Sequence, residues 1–137
     1  MRAAIPAISE AAAAMGAPLR GLVLNAGVWP TEKQTTADGM ELGFQTCHIG
    51  HWQLTTGLLP SLYEQLADGD EVRVVTVSSS AHALTEGVVL DDAAWEDRKW
   101  DSSTAYGTAK LANLLHAQEL ARRAAPPAGW GMIDSNP

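Results

Sequence analysis

Apolar positions along this chain switch between two periods. From about Ala3 to Ala14 alanine dominates and Ile5 and Ile8 fall three apart, the spacing of a helix that lays one stripe against a neighbour. Gly16 and Pro18 stop that helix. Leu19 to Leu24 is then a short apolar run between turn signals, which predicts a strand buried on both faces of a parallel sheet. Asn25-Ala26-Gly27 follows, and the stretch to Thr36, with Pro30 inside it, reads as loop. Asp38 with Glu41 three residues on resembles a capping box. It predicts a helix carrying Met40, Phe44, Ile49, Trp52 and Leu59, kinked or restarted near Pro60.

Ala67 to Asp70 predicts a turn, and Val72 to Val77 has the β-branched content of a strand. Ser78 to Trp100 holds neither period and is acidic, so a long loop with one short helical turn is expected. Ser103 is the expected cap of a helix from about Thr104 to Ala124, with Leu111, Leu114, Leu115 and Leu120 on one side and Arg122 and Arg123 at its negative end. Pro126-Pro127 ends it, and Gly131 to Ser135 reads as the start of a further strand. Strand and helix thus alternate. The expected fold is α/β, one domain over residues 1–137: part of a Rossmann-like doubly wound parallel sheet, with about three strands and long helices.

Composition narrows the functions. Hydrophobic residues at 46% and charged residues at 18% suit a folded core rather than disorder. Nine Lys plus Arg against sixteen Asp plus Glu leave no basic stripe, which argues against a nucleic-acid partner. One cysteine, Cys47, excludes an intramolecular disulfide and fits a reducing compartment, so a cytoplasmic location is expected. Pro6, Ser9 and Glu10 interrupt any signal-peptide core. No stretch reaches the ~18 apolar residues of a membrane span, and a soluble protein is expected.

The chemistry centres on Tyr106 and Lys110, four apart near the start of a predicted helix and therefore on one face. A nearby ammonium favours the phenolate, so such a pair can exchange a proton with an alcohol or carbonyl. The spacing alone is common on exposed helices. Its context is not: Val77-Ser78-Ser79-Ser80 and Asn25-Ala26-Gly27 both close predicted strands, where open α/β sheets bind ligands.

Together these segments resemble the short-chain dehydrogenase/reductase family. Leu22 to Gly27 is similar to its N-N-A-G strand end, with Leu24 in place of the first Asn. Thr36 to Glu41 and Phe44 to Trp52 resemble the branch that includes retinol dehydrogenases and WW-domain oxidoreductases. Val74 to Ser79 and Tyr106 to Ala124 resemble the serine strand and the catalytic helix. The resemblance implies an NAD- or NADP-dependent oxidoreductase acting on a small-molecule alcohol or carbonyl. Ser79 would hydrogen-bond the substrate oxygen, Tyr106 would be the general acid/base, and Lys110 would hold the nicotinamide ribose. Asn25, Ala26 and Gly27 would line the cofactor cleft, and Asn136-Pro137 resembles a segment near the nicotinamide, giving Pro137 a cofactor role. It also implies association of copies through the two long helices.

Departures from the family pattern shape the expectation. Cys47 stands where the family helix carries an Asn that holds a relay water, and a thiol is a weaker hydrogen-bond partner. No base is evident for a nucleophilic role, so Cys47 reads as a small buried thiol. Cys47, His48 and His51 are not expected to hold a metal, which for structural zinc would need four ligands. The tryptophans read as core and loop-packing residues, with Trp95 or Trp100 as candidates for the substrate mouth. No G-x-x-x-G-x-G occurs, so nothing in the chain matches the glycine-rich turn that binds a pyrophosphate. The expectation is a fragment whose full activity belongs to a longer parent, or an inactive remnant that binds a partner through an open sheet edge.

Overall fold

The structure, a computed structural model, describes residues 3–67 and 71–124. Two parallel strands, β1 (Gly21–Leu24) and β2 (Arg73–Thr76), pair in register from Gly21 with Arg73 to Leu24 with Thr76. Around them lie α1 (Ala4–Ala14), the single turn α2 (Leu42–Phe44), α3 (Gly50–Ala67) and α4 (Ser102–Ala124). The α/β class and the alternation of elements are as expected. The turn at 68–70, the strand expected at 131–135 and the Asn136-Pro137 segment lie outside the described residues.

β1 is covered on one face only, which corrects the expectation of a strand buried on both. Leu22 and Leu24 are buried against Leu58 and Leu62 of α3, with Ile5, Ile8 and Leu54 packed alongside. Val23 and its partner Val75 point the other way and are 66% and 47% exposed. Side chains alternate across a strand, and α1 and α3 both sit on the Leu22 face. An apolar run looks the same whether one face or two is covered, so the sequence could not tell these cases apart.

Glu41, not Asp38, caps the long helical segment. Its carboxylate accepts from the Phe44 N–H at 2.6 Å. An isolated antiparallel bridge between Thr35 and Glu41 keeps the backbone extended up to that point, and Asp38 sits in the intervening turn, bonded to the Gln45 side chain. The helix then widens into a π turn over Gln45–Ile49 before continuing as α3, which runs through Pro60. The expected loop at 78–100 contains two 3-10 helices, Ser80–Leu84 and Leu90–Asp92.

α4 begins one residue before the expected Ser103 cap. The Asp101 carboxylate accepts from both the N–H and the hydroxyl of Thr104 at 2.8 Å. The most deeply buried face of α4 is lined by small and polar residues. Ala105, Ala109 and Ala112 are buried together with Thr108, Lys110 and Asn113, whereas Leu115 is half exposed. Small residues let the helix axis come close to the end of β2, and that approach rotates the leucines outward. At the far end Arg122 and Arg123 both bind Glu119, at 2.7 and 2.6 Å.

Leu58 is fully buried under the sheet, so Leu58→Ala is expected to lower stability by about 2–5 kcal/mol. Val23→Ala, on the bare face, is expected to change it by less than about 0.5 kcal/mol. Urea unfolding of the two variants checks the contrast, and equal losses would mean that the sheet is covered on both sides.

Candidate active site

β2 stops at Thr76, and the next two residues attach it to α4. The Val77 carbonyl accepts from Lys110 Nζ at 3.1 Å and from Asn113 Nδ2 at 3.2 Å. In the other direction, Ser78 Oγ donates to the Lys110 carbonyl at 2.8 Å. Ser79 follows in extended conformation, and its Oγ accepts from the Ala81 N–H at 3.2 Å, capping the 3-10 helix Ser80–Leu84. That leaves the Ser79 hydroxyl its proton to donate.

The 3-10 helix packs along α4 at the turn that carries Tyr106. A Cβ on Gly107 would lie 2.6 Å from the Ala81 carbonyl oxygen. Gly107 is therefore what lets the Ser79 segment lie against the Tyr106 turn. Lys110 is only 3% exposed, and its Nζ lies 5.5 Å from the centre of the Tyr106 ring. Tyrosine and lysine share one face of α4, as their spacing requires, with the serine segment beside them.

The segment after β1 closes the site from the other side. A Cβ on Gly27 would come 3.3 Å from Cys47 Sγ and 3.8 Å from Lys110 Nζ, so the bare glycine leaves room for both. Asn25 and Ala26 precede it on exposed backbone. Cys47 is fully buried on the π turn. It accepts from the Val28 N–H at 3.4 Å and donates to the Val28 carbonyl at 3.3 Å. Burial, the largest influence, pushes its thiol above the ordinary value, which suits a neutral fastener rather than a nucleophile.

Trp29, two residues past Gly27, stacks on Tyr106 with ring centres 4.6 Å apart and planes within 2°. Its Nε1 donates to Ser102 Oγ at 2.9 Å, and that hydroxyl donates to the Pro30 carbonyl at 2.5 Å. The substrate-mouth candidates Trp95 and Trp100 have no such contact with Tyr106. Trp95 is 4% exposed with φ at +57°, a conformation that costs about 1–3 kcal/mol for a non-glycine residue.

Neighbouring charges hold Trp95 there. Lys33 Nζ donates to its carbonyl at 2.6 Å, and the Arg98 guanidinium lies 3.7 Å over its ring. Asp92 pairs with Arg98 at 3.1 Å and accepts from the N–H of Glu96 and of Asp97. Burial pulls the Asp92 carboxyl upward, but those donors outweigh it and hold it below the usual range. Trp95 thus braces the loop that walls the site.

No family model matches the chain. A short chain dehydrogenase/reductase of Colletotrichum higginsianum is 46% identical over 114 residues, which cover 74% of this chain and 28% of that protein. Human retinol dehydrogenase 13 is 38% identical over 102 residues, covering 74% of this chain and 29% of its own length. A crystal structure of an uncharacterized protein from Mycobacterium paratuberculosis superposes with a TM-score of 0.64 at 40% identity, covering 76% of this chain and 35% of that one. The chain belongs to the short-chain dehydrogenase/reductase family. It spans less than a third of the length of those two curated relatives.

As a short-chain dehydrogenase/reductase the chain departs from the expected pattern at Cys47, which nevertheless bridges to the backbone beyond Gly27. Two further site residues carried no role on sequence grounds. Asn113 lies three residues beyond Lys110 on the same helix face, a spacing that could have flagged it. Trp29 had only its closeness to Gly27 as a signal. Among the described residues no group of three or more His, Cys, Asp or Glu could hold a metal ion, and no helix is long and apolar enough to cross a membrane.

Three histidines pack behind the lysine. His48 Nδ1 donates to Asn113 Oδ1 at 3.1 Å, a direction set by the amide nitrogen already facing Val77. Burial is the first cause that holds His48, His51 and His116 below the ordinary value of 6.5. The unfolded chain therefore binds more protons than the folded one just below that pH, so their contribution to stability is complete above 6.5 and is lost as pH falls through the folded values. Melting temperature is expected to drop as pH is lowered from about 8 to 5, and His51→Gln to flatten that slope; an unchanged slope would mean that the buried imidazole does not titrate. Separately, Gly107→Ala would set a methyl group against the Ala81 carbonyl and is expected to lower stability by about 1–3 kcal/mol, read by urea unfolding. A midpoint equal to wild type would show that the segment need not lie so close.

Proposed function

We propose that this chain carries the acid/base half of a nicotinamide-dependent oxidoreductase that interconverts a small-molecule alcohol and a carbonyl. The observation that carries the reading is the Tyr106 and Lys110 pair on α4, tied to the end of β2 beside Ser79. Tyr106 is the group that gives its phenolic proton to the substrate oxygen in reduction and takes it back in oxidation. Ser79, with its hydroxyl proton free of the 3-10 cap, donates a hydrogen bond to that same oxygen.

NAD or NADP, when bound, supplies or accepts the hydride. The residues present fit such a group. Lys110 has three N–H donors, of which the Val77 carbonyl takes one, and the others suit ribose hydroxyls. Gly27 leaves a cradle that a Cβ would fill, and Asn25 and Ala26 lie on the exposed backbone leading into it. Pro137, assigned to the cofactor by resemblance, is outside the described residues. Turnover on this reading also requires a glycine-rich pyrophosphate-binding turn, and these 137 residues contain no G-x-x-x-G-x-G.

In a chain carrying that turn ahead of residue 1, Tyr106→Phe is expected to reduce turnover by about 10²–10⁴-fold while saturable cofactor binding persists. Undiminished turnover would remove Tyr106 from the role. A second reading, in which the chain binds a partner and its site residues are idle, is supported by the bare Val23 and Val75 face. Titrating the 137-residue chain with NADP and with NAD while following tryptophan fluorescence separates the two. Saturable quenching speaks against the partner reading, and a flat response that persists once a glycine-rich turn is restored ahead of residue 1 favours it.

A further inference from the structure

Among the described residues two apolar clusters form, and they share no member. One lies under the sheet, where Leu22, Leu24, Leu58, Leu62 and Val72 meet. The other is small and sets Phe44 and Cys47 against Ala109 and Ala112 of α4. Three of the four histidines of the chain border this second contact. His48 on the π turn and His116 on α4 have ring centres 6.0 Å apart. His51 is 4% exposed, and neither of its ring nitrogens makes a hydrogen bond. Burial without a partner favours the neutral imidazole.

Few charged or titratable groups face the three rings. From α4 come the ammonium of Lys110 and His116 itself. From the π turn comes Cys47, whose carbonyl favours a proton on His51, and from the end of β2 come only the neutral Val77 carbonyl and the Asn113 amide bound to it. Glu41, ahead of the π turn, acts on Cys47, and Tyr106 packs at the edge of the cluster. No carboxylate is among the groups that set the protonation of the imidazoles. Each proton added there meets Lys110 and the neighbouring rings with no anion to balance it, and a buried unbalanced charge is costly.

We propose that the contact between the π turn and α4 is an acid-operated latch: uptake of protons by His48, His51 and His116 drives the π turn off α4 while the sheet and its own cluster stay folded. What the latch holds is the site. Cys47 fastens Val28 and so Trp29. His48 fixes the Asn113 amide that shares the Val77 carbonyl with Lys110. Both residues are on the π turn, so the loop and the ammonium loosen together when it moves. Packed imidazoles take protons less readily than open ones, and falling pH therefore favours the open form. The latch works in the same way whichever reaction the site performs.

Cys47, the lone cysteine, is fully buried at this contact and reports its opening. The 137-residue chain is labelled with a dithiodipyridine, which reacts with thiols in acid as well as at neutral pH. Its rate is divided by that of the urea-unfolded chain at the same pH, which cancels the chemistry of the thiol itself. The ratio is expected to rise by about tenfold or more from about pH 7 to 5, with far-UV circular dichroism unchanged. His51→Gln and His116→Gln are each expected to cut the rise to about threefold or less, whereas His82→Gln, on the 3-10 helix, leaves it as in wild type. Should His51→Gln fail to fold, His116→Gln, which is only partly buried, decides alone. A ratio that stays constant down to about pH 5 overturns the proposal. So does a rise that comes only with loss of helicity, because the transition is then global, and so does a rise that survives the cluster variants, because other groups then titrate.

Discussion

The carbonyl oxygen of Val77 accepts two hydrogen bonds from one helix, and the site is arranged around that oxygen. β2 ends one residue earlier, so this carbonyl is free of the sheet ladder and its lone pairs can go to Lys110 and Asn113. The ammonium is nearly excluded from water, and an isolated buried cation is costly. Fixing it to a backbone acceptor whose own position is set by the sheet leaves it little freedom to move away from Tyr106. Asn113 holds the same oxygen from one turn further along and is itself held by His48.

That anchoring needs the helix to come close, and closeness is a property of small side chains. Ala105, Ala109 and Ala112 form the inward stripe of α4, and Gly107 removes the one Cβ that would strike the Ala81 carbonyl. Larger residues on this stripe would keep the helix off the strand and separate the lysine from its acceptor. The leucines of α4, which carry more apolar area, are left turned partly outward. In this helix, burying the polar anchor has taken precedence over burying the largest hydrophobes.

The other wall of the site is made of loops that are braced rather than free. Cys47 ties the backbone beyond Gly27 to the π turn, Ser102 ties Trp29 and Pro30 to the start of α4, and Lys33 ties the same loop to Trp95. Trp95 is in a strained conformation held by Arg98 and Asp92. Strain fixed by surrounding contacts is characteristic of segments that must hold one shape at a functional site. A thiol at position 47 weakens each individual bond, yet two contacts to one residue still define where Val28, and hence Trp29, sits.

Local chemistry alone determined a good deal. The periodicities placed both strands and the long helices, because side-chain period follows directly from backbone geometry. The four-residue spacing of Tyr106 and Lys110 put them on one face for the same reason. What required the tertiary structure was every choice among faces and partners. Leu22 and Leu24 are covered while Val23 is bare, α4 packs through its alanines instead of its leucines, Glu41 displaces Asp38 as the cap, and Trp29 instead of Trp95 lies on the tyrosine. Each depends on how closely two distant segments approach, a distance set by the combined volumes of residues far apart in the chain.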